Sequence, residues 1–184
     1  MGCEAARLKR SFFARNAVDV APELLGCILQ VDDLSVRLTE TEAYLQDDEA
    51  SHSFRGPTKR NGVMFGSPGY SYVYFVYGMY WCLNVVTGPE GDGQAVLLRG
   101  GSTLACLEAM RANRPKCGDD SKLANGPGKL ALALGVDGSY NARDYCCDRG
   151  LRLSTDGFVP VKVVTTPRIG IAKNTEKPWR FLVR

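Results

Sequence analysis

The sequence predicts one mixed α/β domain over residues 1–184, with strands dominating the middle and C-terminal portions. Three observations carry this. A length of 184 residues suits a single domain that can bury its own core. Two-residue alternation of side chains runs through 35–45 and again from Tyr70, the period of a strand. No internal repeat or low-complexity linker marks a second domain.

Taken in order, Asp19 to Leu25 reads as a short helix, with Asp19 as N-cap and Gly26 as the stop. Cys27 to Val31 reads as a strand, Asp32-Asp33 as a turn, and Ser35 to Leu45 as the next strand. Asp47 to Ser53 suits a helical turn leading to His52, the one histidine. Arg55 to Gly62 is a loop of turn residues with three cations. Tyr70 to Tyr74 and Cys82 to Val86 then form a hairpin whose tip is Tyr77-Gly78-Met79-Tyr80, where glycine tolerates positive φ. After an acidic Gly-rich turn, Ala95 to Arg99 reads as a buried strand, and Ser102 to Arg111 has helical spacing with Ser102 or Thr103 as cap. Asn113 to Lys122 is a polar loop. Asn125-Gly126-Pro127-Gly128-Lys129 opens a helix over Leu130 to Gly135, a geometry that suits a phosphate but lacks P-loop spacing. Strands close the chain at Leu151 to Ser154, Val159 to Val164 and Trp179 to Val183.

Composition narrows the function classes. With 45% hydrophobic and 23% charged residues, the chain matches ordinary globular proteins. A net charge of +3 and a pI near 8.5 permit a polyanionic partner without arguing for one. No run approaches the roughly 20 apolar residues of a membrane span, and Met1 to Arg15 lacks the apolar core of a signal peptide. The seven cysteines are odd in number, irregularly spaced and without a C-x-x-C pair. Together with a single histidine, that argues for a reduced intracellular compartment and no metal site.

Two stretches concentrate chemistry. Five of the eight tyrosines lie between Tyr70 and Tyr80, and Tyr70, Tyr72 and Tyr74 share a face. They read either as an aromatic half of a β core or as a stacking platform with a projecting wedge. In the earlier strand, Glu40, Glu42 and Tyr44 share a face. Two carboxylates so placed form either a solvated edge or a site with one base, the other held by hydrogen bonds or protonated.

The run Glu40-Thr41-Glu42-Ala43-Tyr44, then His52-Ser53, Tyr74 to Asn84, Leu97-Leu98-Arg99, Asn125 to Lys129 and Arg168-Ile169-Gly170 resembles the alkyladenine (3-methyladenine) DNA glycosylase family of base-excision repair. The resemblance extends from about Phe12 to Arg184, and the order and spacing of its motifs make it specific. It implies an α+β fold: a curved antiparallel β core, flanking helices and a protruding hairpin that enters the minor groove while the damaged nucleotide is flipped out. It implies Glu42 as general base toward a water attacking C1′, with Arg99 and the backbone carbonyl of Ile169 beside it. Tyr44, His52 and Tyr74 would stack on the base, and Asn84 would discriminate among purines. Tyr77 would fill the gap left by the extruded nucleotide, and Met79, Thr58, Arg60 and Lys129 would touch DNA. The implied partner is damaged double-stranded DNA, met by a monomer with no cofactor, no metal, no membrane and no obligate protein partner. The long basic N-terminal extension of vertebrate members is absent, which suggests a bacterial layout or a trimmed catalytic core, and an intracellular enzyme of the cytoplasm or nucleoid if bacterial and of the nucleus if eukaryotic. Two rivals fit parts of the pattern: a sugar glycosidase using Glu40 and Glu42, and a single-strand nucleic-acid binder using Tyr70 to Tyr80.

Overall fold

Where apolar side chains alternate, the chain pairs into sheet; where alternation fails, the ladder bends. In the computed structural model, which describes residues 5–184, the strands are β1 (Ala6–Arg7), β2 (Ile28–Val31), β3 (Leu34–Tyr44), β4 (Ser71–Val76), β5 (Tyr80–Val86), β6 (Ala95–Ala105), β7 (Leu151–Thr155), β8 (Val163–Thr166) and β9 (Arg180–Val183). The short helices are α1 (Arg10–Phe13), α2 (Ala17–Glu23), α3 (Leu107–Asn113) and α4 (Pro127–Ala133). The path through the sheet is β1-β7-β2-β3-β6-β5-β4, with β9 pairing both β3 and β8. All strand pairings are antiparallel, and the sheet curls into a half-barrel, as expected for the α+β class.

The centre is β3. One of its sides pairs β6 along most of its length; the other takes β2 at Leu34–Arg37 and β9 at Glu40–Glu42. Val36 and Leu38 of β3, Val85 of β5, Val96 and Leu98 of β6, and Leu130 of α4 are wholly buried in one apolar core. Burying each such side chain contributes on the order of 1.5–3 kcal/mol. A smaller cluster of Met64, Tyr72, Val86 and Ala95 lies beside the hairpin, with Tyr70 and Tyr74 packed on it. The shared face predicted for those tyrosines is therefore real.

Several boundaries move. The N-cap of α2 is Asn16, whose side chain accepts the Val18 amide at 2.8 Å, and Asp19 falls inside the first turn. Gly26 does end the helical segment, at φ +87°, where a Cβ would meet the Phe158 ring at 3.0 Å. The helix expected from Ser102 begins only at Leu107, because β6 continues to Ala105 opposite Ser35. Long-range pairing with β3 outweighs the local helical spacing there. The strand expected at 159–164 sits at Val163–Thr166, paired to β9. Cys3 lies outside the described residues; the remaining six cysteines are free thiols.

Candidate active site

Two irregularities between β3 and β6 create the site. Leu38 pairs Gly101, Glu40 pairs Gly100 and Thr41 pairs Leu98, so Thr39 is an extra residue on β3 and Arg99 an extra residue on β6. Bulges of this kind re-aim side chains. Here they turn Arg99 between the two glutamates: Nε donates to Glu40 Oε1 at 2.8 Å and Nη1 to Glu42 Oε2 at 3.2 Å. Gly101, opposite Leu38, is needed, because a Cβ there would lie 2.7 Å from the Val36 side chain.

The two carboxylates have separate fates. Glu40 accepts Arg99 and also Arg180 Nε at 2.6 Å. Burial pushes its pKa up, but the two guanidiniums outweigh that and hold it below the ordinary value. Glu42 has no exposed surface. Its Oε2 also accepts the Tyr44 hydroxyl at 2.8 Å, and its Oε1 accepts the Ile169 amide at 2.8 Å. Burial raises the Glu42 pKa, and Arg99, the Ile169 amide and Tyr44 offset this only in part. A carboxylate has about four acceptor sites. Arg99, Tyr44 and Ile169 take three of them, and the open one is on Oε1. Two carboxylates whose pKa values are driven apart are the mark of a base and its support.

Against this wall lies a cavity of roughly 400 Å³. Tyr44, His52, Tyr74, Asn84, Tyr77, Arg99, Lys129 and Ile169 all line it, so the structure gathers most of the expected residues around one space. Glu42 itself stands behind Tyr44, Arg99 and Ile169. His52 and Tyr74 meet edge to face with centroids 4.5 Å apart, and His52 Nδ1 bonds the Tyr72 hydroxyl at 2.9 Å. These two rings form a corner too tight to admit a base between them. Burial, with the Arg60 charge adding, lowers the His52 pKa and favours a neutral ring. Asn84 is buried and donates one N–H of its side-chain amide to the Tyr72 carbonyl at 2.8 Å, leaving its side-chain oxygen and its second N–H for other partners.

The hairpin tip departs from expectation in one respect. Tyr77 as well as Gly78 has positive φ, +55° and +67°, and the Met79 amide closes the turn on the Val76 carbonyl at 3.2 Å. This is the primed turn that suits the twist of a hairpin. Tyr77 is 76% exposed and Met79 64%. Met79, Thr58 and Arg60 do not line the cavity. The Thr58 hydroxyl bonds Asn61 Oδ1 at 2.8 Å, and Arg60 lies over the Tyr74 ring with Nη2 on the Phe75 carbonyl at 3.2 Å. The glycine-proline turn before α4 forms part of the cavity wall, and Gly128 packs so closely that a Cβ would lie 2.7 Å from the Tyr80 ring. Ile169 meets Glu42 through its amide N–H.

Residues that the sequence reading left unassigned complete the surroundings. Arg168 is buried, ion-paired with buried Asp48, bonded to the Ala43 carbonyl and stacked on Tyr44 and Trp179. Asn174 donates to Asp48 at 2.7 Å. The available signal was only that Arg168 adjoins Ile169-Gly170, and an arginine in a polar loop reads as solvent-facing. Among the described residues no His, Cys, Asp and Glu cluster could hold a metal ion, and no helix is long and apolar enough to cross a membrane.

Comparison with known proteins agrees with this geometry. The family described as methylpurine-DNA glycosylase matches residues 11–184. A candidate 3-methyladenine DNA glycosylase of Rhizobium etli is 51% identical over 98% of this chain and 87% of its own length. Proteins of the same description from Burkholderia lata (46% identical, 97% of this chain and 88% of theirs) and Streptomyces avermitilis (45%, 96% and 87%) are also similar.

Proposed function

The chain belongs to the methylpurine-DNA glycosylase family, and we propose that it is a monofunctional enzyme that flips alkylated or deaminated purines out of duplex DNA and hydrolyses their N-glycosidic bond. DNA glycosylase activity follows from the family; the route through Glu42 is our reading. One observation carries it: a buried carboxylate with a raised pKa and one open acceptor site, behind the wall of an aromatic cavity.

In this reading the flipped base enters between Tyr44 and the His52–Tyr74 corner. Its sugar lies toward Arg99 and Ile169. A water accepted by Glu42 Oε1 attacks C1′, the bond to the purine breaks, and its electron pair leaves with the base. The water's proton passes to the carboxylate, and an abasic site remains. A purine methylated at N3 or N7 is already cationic, so it departs neutral without an acid, and a single carboxylate suffices. The electron-rich rings favour such a cation by roughly 0.5–2 kcal/mol, and weakened pairing lowers the cost of flipping it. A neutral lesion such as hypoxanthine needs protonation in addition. Tyr77 and Met79 would occupy the helix in place of the extruded nucleotide.

The rivals have less support. Glu40 is engaged by two arginines, so it is poorly disposed as a glycosidase partner. Tyr72 is buried and Tyr74 packs on the smaller apolar cluster, so these two rings do not form an exposed stacking surface for single strands. The test is incubation with duplexes that each carry one lesion, scoring free base and alkali-labile sites. We expect Glu42→Gln to bind lesion DNA and release no base; normal turnover by that variant would remove Glu42 from the mechanism.

A further inference from the structure

Three donors hold Glu42, and two of them come from groups attached to one buried arginine. The Ile169 amide belongs to the residue after Arg168, and the Tyr44 hydroxyl belongs to the ring on which the Arg168 guanidinium lies, 4.7 Å from its centroid. Arg168 Nη1 donates to the carbonyl of Ala43, the residue between Glu42 and Tyr44, at 3.0 Å. The segment beginning at Arg168 is thereby tied to the stretch of β3 that carries the carboxylate. Asp48 anchors the guanidinium and is itself fixed by Asn174 Nδ2 at 2.7 Å and the Ala50 amide at 3.2 Å.

Stability is a poor reason for this arrangement. Both side chains of the Arg168–Asp48 pair are wholly buried, and Arg168 Nε and Nη2 have no partner. Buried ion pairs with unmet donors are often less stabilising than apolar packing of the same volume. We propose that Arg168, locked by Asp48, is a positioning residue for base hydrolysis: it holds the Ile169 amide and the Tyr44 hydroxyl on Glu42 and so keeps that carboxylate ionised. The inference rests on Glu42 as the general base.

The other charged and titratable groups around Glu42 are Glu40 and Tyr44 on its own strand, Arg99 on β6, Cys82 on β5 and Arg180 on β9. Of these, Tyr44 is the group that Arg168 touches, through its ring, while Glu40, Arg99, Cys82 and Arg180 share no hydrogen bond or ion pair with Arg168 among the described residues. Loss of the Ile169 and Tyr44 hydrogen bonds therefore has one sign. Both favour the ionised carboxylate, so weakening them moves the Glu42 pKa further up, and base release fails at a higher pH.

The experiment measures single-turnover base release across pH on a duplex carrying one 7-methylguanine, a lesion already cationic, together with duplex affinity. The parent, Arg168→Lys, Asn174→Ala and Glu42→Gln are compared, with folding checked by circular dichroism. For Arg168→Lys we expect the acid limb to move up by about one unit, which lowers the rate about tenfold on the acid side and leaves the high-pH plateau and the affinity unchanged. Asn174→Ala, which keeps the ion pair and removes one bond to Asp48, should move the limb the same way by less. It decides the matter if Arg168→Lys does not fold. A folded variant whose limb coincides with the parent's, or whose rate falls equally at every pH, overturns the inference. If Glu42→Gln is inert while the limbs stay put, the inference alone fails; if Glu42→Gln releases base normally, the reading of Glu42 fails with it.

Discussion

At the scale of single residues, Glu42 is where function and stability pull apart. Its folded pKa is raised, so between the unfolded and folded pKa values the native state binds more protons than the unfolded state. Stability then falls as pH rises through that window, and the ionised carboxylate is a burden at neutral pH. Glu40 has the opposite sign. Its folded pKa is lowered, so it contributes stability above its unfolded pKa, lost as pH falls through the folded one. Arg99 keeps Glu40 as partner when Glu42 is neutralised. We therefore expect Glu42→Gln to melt at or above the parent temperature at pH 7.5, with the advantage shrinking toward acid pH. Thermal melts across pH check this; a melting point several degrees below the parent at neutral pH would show the Glu42–Arg99 pair to be net stabilising. The sequence made Glu42 and Arg99 visible as polar residues in apolar strands. It did not show the bulges that turn them toward each other, because the strand predicted there ends at Arg99 and the pairing of Gly100 and Gly101 with β3 lies beyond it.

At the scale of elements, the hairpin of β4 and β5 shows the same opposition. Tyr77 holds a left-handed backbone at φ +55°, which costs a non-glycine residue roughly 1–2 kcal/mol. The exposed ring buries little that would compensate. Tyr77→Gly removes the strain at the cost of some unfolded-state entropy, a net gain of about 0.5–1 kcal/mol. The variant should melt a few degrees higher than the parent and bind lesion duplex at least about tenfold more weakly, or about 1.4 kcal/mol. Calorimetry and a binding isotherm test the two halves independently, and undiminished affinity would remove Tyr77 from the DNA contact. Gly78 announced the turn from sequence, but positive φ at Tyr77 could not be read from it, because only glycine signals that conformation. The helix expected over 102–111 failed for a related reason: its spacing is local, and the pairings of Ser102, Thr103 and Ala105 with Arg37, Val36 and Ser35 on β3 prevail over it.

At the scale of the whole molecule, the cavity exists because distant segments converge. Glu42, Arg99 and Ile169 come from β3, β6 and the stretch between β8 and β9, and Lys129 reaches the cavity wall from α4. Lys129 Nζ bonds only Asn125 Oδ1 at 2.9 Å and is exposed. A mildly basic chain gains much of its DNA affinity from counterion release. We expect Lys129→Ala to reduce the slope of log affinity against log salt by about 0.9 while leaving single-turnover release from saturated enzyme unchanged. Titrations at several salt concentrations measure it, and an unaltered slope would mean that Lys129 touches no phosphate. Arg60 is a poorer choice for the same experiment, because its guanidinium covers Tyr74 and its loss would disturb the cavity corner.

By itself the sequence determined the strand-rich mixed α/β character and the hairpin with its exposed tip, which follow from side-chain period and turn chemistry and are local. The α+β class and the set of residues around the cavity came instead from the resemblance of the motifs to a known family. Only the tertiary structure decided that Glu42 is buried and pushed up while Glu40 is held down, that His52 and Tyr74 form one corner of a cavity that Tyr44 also lines, and that Arg168, next to Ile169, pairs with Asp48. These depend on bulge placement and on contacts across more than a hundred residues, such as Ile169 to Glu42 and Arg168 to Asp48. A local pattern carries no information about which buried charge will face which.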